Sequence, residues 1–246
     1  THTLGPIIHN PQLVNSLSAR GVSPVDSLQD VADGSKVLIR SHGVGPHIYE
    51  EAEAKHLDVV DATCPNVKKA QQDARKVIND KKALIIVGEK DHPEVISISQ
   101  WGCNRAIIID KVEEAKEIPY CEHMGVVVQT TFSQSRFKQI ESVLAEKTDD
   151  LDVYMTICTA TRQRQEAAVE LAKKVDAMIV IGGKNSANTG RLAQVCAEQG
   201  CPTYHVETAS ELNVADFRGM SDIGVTAGAS TPDRSEEHTS ELQSLR

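Results

Sequence analysis

The stretch AMIVIGGKNSANTGRLAQVCAEQG, residues 177–200, shows how this chain folds. It begins with AMIVIG (177–182), an uninterrupted apolar run that is typical of parallel strands covered on both faces. A polar loop follows, and then an amphipathic segment that stops at Gly200, a usual helix end. Strand, polar loop and helix in this order predict one repeat of a parallel α/β sheet.

The same succession recurs along the whole chain. Candidate strands are LGPII (4–8), KVLIR (36–40), DVVDA (58–62), ALIIVG (83–88), RAIIID (105–110), GVVVQT (125–130), DVYMTI (152–157), AMIVIG, PTYHV (202–206) and DIGVTA (222–227). Candidate helices are NPQLVNSLSARG (10–21), PHIYEEAEAKH (46–56), PNVKKAQQDARKVIND (65–80), SQSRFKQIESVLAEK (133–147), TRQRQEAAVELAKKV (161–175) and NTGRLAQVCAEQG (188–200). About ten strands are too many for one small sheet, so the pattern favours several compact α/β units.

Composition narrows the class of protein. The 246 residues carry a net charge of −9 and show no cluster of Lys and Arg, so we expect no nucleic-acid partner. Neither a run of about 18 apolar residues nor a signal peptide is present, and no membrane association is expected. The 6 cysteines form no CxxC pair, which favours reduced thiols in a cytoplasmic protein, a few of them as metal ligands.

The two ends of the sequence have unusual character. The chain starts with Thr1 and enters directly on an apolar stretch, which suggests that a preceding segment is missing. Residues 234–244 read like the translation of a sequencing-library adapter, so residues 234–246 are excluded from the fold prediction. The alternative is a genuine polar tail.

Polar residues gather in the loops that follow the predicted strands, where ligands bind in parallel α/β sheets. These loops contain His9, His42, Cys64, His92, Glu94, Thr130, Cys158, the segment 183–189 and the segment 228–231. Taken singly, Ser, Thr and Asn are more often helix caps, and cysteines more often buried thiols. Taken together they predict an anion site at helix N-termini, a thiolate-bound metal centre and a carboxylic acid that donates protons.

Eight motifs then combine into a family pattern. They are GPIIHNPQ, RSHGV, DATCPNVKKAQ, GEKDHPEV, QTTFS, ICTATRQRQEA, GGKNSANTGRL and GVTAGASTPD, in order from residue 5 to residue 233. Together they resemble the 4-hydroxy-3-methylbut-2-enyl diphosphate reductases, the last enzymes of the non-mevalonate isoprenoid pathway. The resemblance implies reductive removal of the substrate hydroxyl as water, which yields isopentenyl and dimethylallyl diphosphate.

The resemblance also implies a fold and a cofactor. It predicts a trefoil of three small α/β domains with mostly parallel sheets, at residues 1–64, 65–157 and 158–233, around a central [4Fe-4S] cluster. Cys64 and Cys158 match two cluster ligands, and the third cysteine is expected upstream of residue 1. The other four cysteines match no ligand position. Ferredoxin or flavodoxin is the expected electron donor.

Roles of other residues follow from the same motifs. Glu94 resembles the family's proton donor, and His92 and Thr130 are expected beside it as catalytic residues. Substrate-binding positions are expected at His9, His42, His92, Thr130, Ser186, Ala187, Asn188 and Ser230. Ala187 departs from the pattern, since many members have a second serine there, but its backbone N–H can still donate. The alternatives are a cofactor-free transferase acting on a diphosphate substrate, and a non-catalytic small-molecule binding protein.

Overall fold

The computed structural model describes residues 1–7, 11–229 and 231, without the side chains of residues 11–13. These residues form two compact units. The first comprises residues 1–7 and 15–158, and the second comprises residues 11–14, 159–229 and 231. All strand pairs in both units are parallel, and helices connect most of the strands, so the α/β class is confirmed.

The first unit contains a four-stranded sheet of order β2-β1-β3-β4. Its strands are β1 (His2–Leu4), β2 (Ser23–Val25), β3 (Lys36–Ile39) and β4 (Asp58–Asp61). Helix α1 (Pro11–Ser18) connects β1 with β2, and α2 (Pro46–Ala54) connects β3 with β4. Val37 and Ile39 point from β3 into a core that also holds Leu28 and Ala52.

A second four-stranded sheet in this unit has the order β6-β5-β7-β8. Its strands are β5 (Ala83–Val87), β6 (Ile107–Ile109), β7 (His123–Val128) and β8 (Asp150–Tyr154). Its helices are α3 (Pro65–Asn79), α4 (Pro93–Trp101), α5 (Val112–Glu117) and α6 (Gln134–Ala145). Alternate residues of β5 pack on opposite faces, Leu84 against α3 and α4, and Ile85 against α5 and α6. Burial on both faces explains why these strands are continuous apolar runs.

The second unit contains a three-stranded sheet of order β10-β9-β11. Its strands are β9 (Ala177–Ile181), β10 (Thr203–Val206) and β11 (Ile223–Ala227). Helices α7 (Thr159–Ala172) and α8 (Ala187–Ala197) cover one face of it. The other face packs against Leu212 and Phe217, in and beside two short 3₁₀ turns.

Four elements differ from the sequence predictions. The strand expected at 4–8 is His2–Leu4 instead, because Gly5 turns the chain with φ +70° and Pro6 has no N–H for a strand ladder. Strand β2 was not predicted, since its Pro24 is tolerated only at a sheet edge. Helices α4 and α5 were also missed. The stretch EVISIS alternates like a strand, but Pro93 at the first helical position sets a helix.

The boundaries of the three predicted domains, at residues 64 and 157, stay a prediction beside the two units and three sheets described above. The predicted trefoil arrangement likewise stays a prediction. None of the helices in the described ranges is both long and apolar enough to cross a bilayer.

Candidate functional site

Five predicted site residues of the first unit follow the carboxyl ends of strands. They are His42 after β3, Cys64 after β4, His92 after β5, Thr130 after β7 and Cys158 after β8. Because strands within each sheet are parallel and neighbouring, their terminal loops meet at one edge. The structure therefore brings these predicted residues to the kind of position that the sequence indicated.

Glu94 is the buried acid of this group. It lies in the first turn of α4 and is only 2% exposed. The backbone N–H of Thr130 donates to its Oε1 at 2.6 Å, and the Thr130 hydroxyl pairs with its Oε2 at 2.8 Å. Burial raises the pKa of Glu94 to about 7 despite these two hydrogen bonds, and the charge of Glu89 raises it further. A carboxylic acid with this pKa is suited to donate a proton near neutral pH.

His92 is oriented by the same helix. It is the N-cap residue of α4, and its Nδ1 accepts a hydrogen bond from the backbone N–H of Glu94 at 3.2 Å. An accepting Nδ1 places the proton of the neutral imidazole on Nε2. The ring of His42 meets the ring of His92 edge to face, with centroids 5.4 Å apart. The two histidines and the acid therefore form one contiguous group.

The two predicted cluster cysteines lie at the edges of this group. The backbone N–H of Cys158 donates to the carbonyl of Thr130 at 2.9 Å, which couples its position to the partner of Glu94. The backbone N–H of Cys64 donates to the carbonyl of Ser41 at 3.0 Å, beside His42. Both thiols are outside disulfides and partly accessible.

Asp61 fixes the loop that carries Cys64. Its Oδ1 accepts from the backbone N–H and the hydroxyl of Thr63, at 2.9 and 2.5 Å. Its Oδ2 pairs with Lys68 at 2.7 Å. Burial would raise the pKa of Asp61, but the hydrogen bonds from Lys68 and Thr63 outweigh it and leave the pKa below its usual value. Asp61 is therefore charged at neutral pH and keeps this loop rigid.

A buried polar pair on α3 and α4, which the sequence did not indicate, contacts the loop of His42. The Ser97 hydroxyl lies 3.0 Å from the carbonyls of both His42 and Glu94. It accepts from the Gln71 amide at 3.1 Å, and Gln71 and Ser97 are 3% and 1% exposed. Neither residue follows a strand, so no sequence signal indicates the pair. It holds the His42 loop in register with α4.

The second unit holds the predicted anion-binding residues at the start of α8. Ser186 is the N-cap, and its hydroxyl accepts from the backbone N–H of Thr189 at 3.4 Å. Ala187 is the first helical residue and is half-buried. Asn188 is 8% exposed, and neither its amide nitrogen nor its amide oxygen has a partner in the described part of the chain. Buried polar atoms without partners are rare, and here they point to a ligand.

Two glycines shape the space beside Asn188. A Cβ on Gly182 would lie 2.7 Å from the hydroxyl oxygens of Thr189 and Thr231, and one on Gly228 would lie 2.1 Å from that of Thr189. The Thr189 hydroxyl is fully buried and also has no partner among the described residues. Thr189 is thus a second site residue that was not singled out from the sequence. Glycine at both strand ends lets the backbone approach closely.

The remaining predictions concern His9, Ser230 and the metal. His9 and Ser230 lie outside the described residues. Cys64 and Cys158, as accessible thiols at strand ends, fit thiolate ligation and can provide two ligands of an iron–sulfur cluster. Within the described ranges, no group of three His, Cys, Asp or Glu side chains is arranged to hold a metal, so this set is incomplete there.

Known proteins resemble this chain along its whole length. The model of the LytB protein family matches residues 1–242. The 4-hydroxy-3-methylbut-2-enyl diphosphate reductase of Pelobacter propionicus is 47% identical over 94% of this chain and 82% of its own. The enzyme of that name from Caldanaerobacter subterraneus subsp. tengcongensis is 43% identical, over 100% of this chain and 86% of its own.

Solved structures agree with these relatives. The E-1-hydroxy-2-methyl-but-2-enyl-4-diphosphate reductase of Plasmodium falciparum matches with a TM-score of 0.93 and 28% identity, over 99% of this chain and 77% of that one. A structure described as (E)-4-hydroxy-3-methyl-but-2-enyl diphosphate reductase, the terminal enzyme of the non-mevalonate pathway, matches with a TM-score of 0.68 and 42% identity. That match covers 100% of this chain and 88% of the other. Sequence, fold and the motifs at the strand ends lead to one conclusion, that this chain belongs to the LytB family.

Proposed function

We propose that this protein is an oxidoreductase that reductively dehydroxylates 4-hydroxy-3-methylbut-2-enyl diphosphate. Two electrons and two protons enter, the C–O bond of the hydroxyl breaks, water leaves, and isopentenyl or dimethylallyl diphosphate forms. One observation carries the proposal on the protein side: a buried carboxylic acid whose pKa is about 7 and whose oxygens both contact Thr130. Hydroxide is a poor leaving group, so a proton must reach the hydroxyl as the bond breaks.

The hydrogen bonds of Glu94 determine where its proton sits. The backbone N–H of Thr130 can only donate, so Oε1 stays an acceptor and the proton resides on Oε2. While Glu94 is ionised, the Thr130 hydroxyl donates to Oε2 at 2.8 Å. Once Oε2 carries the proton, the direction reverses and Oε2 donates to the Thr130 hydroxyl oxygen. The hydroxyl hydrogen of Thr130 is thereby released to donate onward. Glu94 is the proton source in this arrangement, and Thr130 is the group that passes the proton to the substrate hydroxyl.

His92 contributes a fixed donor. Its Nδ1 accepts from the backbone N–H of Glu94, so Nε2–H is the donor of the neutral ring. His42, packed edge to face against it, restricts rotation of the ring. We assign to both histidines, and to His9, hydrogen bonds to the polar groups of the substrate.

The cofactor is assigned as a [4Fe-4S] cluster with Cys64 and Cys158 as two of its protein ligands. When bound, such a cluster supplies electrons and an open iron site that acts as a Lewis acid toward the hydroxyl oxygen. The backbone N–H of Cys158 donates to the carbonyl of Thr130, and this contact supports assigning both residues to one site. Ferredoxin or flavodoxin is the proposed electron donor, in the cytoplasm.

The diphosphate is assigned to the start of α8 and the glycine-lined space beside it. Asn188 brings an amide donor that is already desolvated and has no partner in the described part of the chain. The Ser186 hydroxyl and the backbone N–H of Ala187 lie at the N-terminal end of an eleven-residue helix, whose dipole favours negative charge. No acidic side chain occupies the first turn. Ser230 is proposed as a further ligand.

The test is an anaerobic assay with chemical reductant, after reconstitution with iron and sulfide. It compares the 246-residue chain with a version extended upstream of residue 1 to supply the predicted third cysteine. We expect about four irons per extended chain, and conversion of the hydroxylated substrate to the two five-carbon products. In the Glu94→Gln variant we expect the same iron content and a turnover rate lower by about 10²- to 10⁴-fold. Iron-free protein that transfers the diphosphate substrate to an acceptor would refute the proposal.

A further inference from the structure

A cleft of about 310 Å³ opens in the first unit between α2 and α4. Part of its wall is apolar and includes Val44, Ile48 and Ile96. Ile96 is 43% exposed there, so the cleft offers an apolar contact that the protein itself leaves unused. Arg40, at the carboxyl end of β3, and His47, in the first turn of α2, add N–H donors to the lining.

Arg40 is the unusual member of this lining. Its Nε atom is buried, and no acceptor among the described residues lies within hydrogen-bonding distance of it. Burial of the guanidinium lowers its pKa. Asp26 lines the same cleft but is exposed and forms no ion pair with Arg40. A half-buried cation that has no counter-ion among the described residues is costly unless a ligand supplies the anion.

Gly5 provides the space that Arg40 occupies. A Cβ at Gly5 would lie 2.7 Å from Nη1 and 3.1 Å from Cζ of Arg40. The guanidinium therefore rests directly against Gly5, where only a glycine leaves room for it, and Arg40 lines the cleft from this position. A rigid, fork-shaped donor of this kind matches phosphate oxygens.

We infer that this cleft is a second ligand site, which takes a small organic phosphate with a short hydrocarbon group. Arg40 and His47 bind the phosphate, and Val44, Ile48 and Ile96 contact the hydrocarbon. A five-carbon prenyl diphosphate has both parts, and its choice as the probe rests on the proposed function. The inference itself goes beyond that function, because no residue assigned to contact the substrate or the cluster lines the cleft, and Ser97, which positions the His42 loop, is the one site residue in its wall.

The fluorescence of Trp101 can report ligand binding in this cleft. Trp101 is the only tryptophan, it follows the lining residue Gln100, and its indole N–H donates to the carbonyl of Val44 at 2.9 Å. A ligand that contacts Val44 changes the surroundings of this indole. The diphosphate site proposed at α8 belongs to the other unit, and an Asn188→Leu background removes its main side-chain donor.

The experiment titrates dimethylallyl diphosphate into the iron-free 246-residue chain carrying Asn188→Leu and follows the emission of Trp101. We expect a saturable change, and a Kd at least about tenfold higher for inorganic pyrophosphate, which lacks the apolar group. In Arg40→Gln the response should weaken at least about tenfold, since a charged hydrogen-bond donor is lost. Arg105→Gln removes the same charge from an exposed position outside the cleft and should titrate like the parent.

A second variant, Ile96→Asp, tests the inference even if Arg40→Gln does not fold. Ile96→Asp changes an exposed side chain, leaves Arg40 intact and places a carboxylate beside the phosphate, so it should abolish the response. The inference is overturned if Arg40→Gln and Ile96→Asp both titrate like the parent. It is also overturned if pyrophosphate binds as tightly as dimethylallyl diphosphate, or if no probe changes the emission.

Discussion

Replacing Glu94 with glutamine should slow turnover severely and, above neutral pH, stabilise the fold. Glutamine can keep both contacts with Thr130, because its amide oxygen accepts from the backbone N–H and its amide nitrogen donates to the hydroxyl oxygen. The variant therefore imitates protonated Glu94 but has no proton to transfer. Loss of a general acid costs about 10²- to 10⁴-fold in rate.

The stability effect follows from the raised pKa. The folded protein holds the Glu94 proton up to about pH 7, whereas the unfolded chain releases it near the ordinary value of 4.5. Between these values the native state binds more protons, so the free energy of unfolding falls as pH rises. The span of pKa corresponds to about 3 kcal/mol, which is fully lost above pH 7. Because glutamine does not ionise, the free energy of unfolding of the variant does not fall with pH for this reason.

Urea unfolding at pH 5 and pH 8 measures the effect. The advantage of Glu94→Gln over the parent should be small at pH 5 and reach about 3 kcal/mol at pH 8. Other titrating groups are common to both proteins and cancel in the difference. Glu117→Gln makes the same chemical change at an exposed position and should show no such growth with pH. An advantage equal at both pH values would refute the argument that burial keeps Glu94 protonated.

Three further substitutions test other parts of the site. Ser97→Ala leaves the buried Gln71 amide without its hydrogen-bond partner, so we expect it to cost about 1–3 kcal/mol of stability and to lower kcat. Ser97→Cys should lose less of both. Unfolding and turnover assays measure the two effects. Asn188→Leu removes two buried polar atoms that have no partner among the described residues, so the free energy of unfolding should rise by about 1–3 kcal/mol. The KM for the diphosphate substrate should rise about tenfold or more. An unchanged KM would contradict the diphosphate assignment. In Gly228→Ala the added methyl group collides with the Thr189 hydroxyl, so KM should rise. The control Gly190→Ala adds a methyl group in open space within α8. It should leave KM unchanged and stabilise the fold by about 0.5–1 kcal/mol.

How much of the fold is readable from sequence depends on burial. Strands β5, β7 and β9 are covered on both faces, so they appear as apolar runs that no helix period explains. Strand β2 is three residues at an edge and contains proline, so it lacks any such run. Helix α4 was missed because EVISIS alternates, and its helical state is set by the flanking His92 and Pro93.

The site residues, too, divide into those that local sequence patterns indicate and those that depend on the packing of distant segments. Positions such as Glu94 and Cys64 could be placed at strand ends because the strand pattern is local. Their partners could not, since partners depend on which strands are neighbours. Glu94 and Thr130 are 36 residues apart and meet only because β5 and β7 pair directly. The Gln71–Ser97 contact depends in turn on the packing of α3 against α4, which no local pattern records.

The acidity of Glu94 is likewise a property of the fold and not of the local sequence His92-Pro93-Glu94. Two opposing effects act on the same carboxyl group: burial in the first turn of α4 raises its pKa, and two hydrogen bonds from Thr130 lower it. Burial without those bonds would hold the proton too tightly for transfer, and the bonds without burial would leave the group ionised at neutral pH. The pairing of β5 with β7 supplies both at once, because it encloses the start of α4 and brings Thr130 to it. The sheet topology thereby brings the pKa of the proton donor Glu94 to about 7.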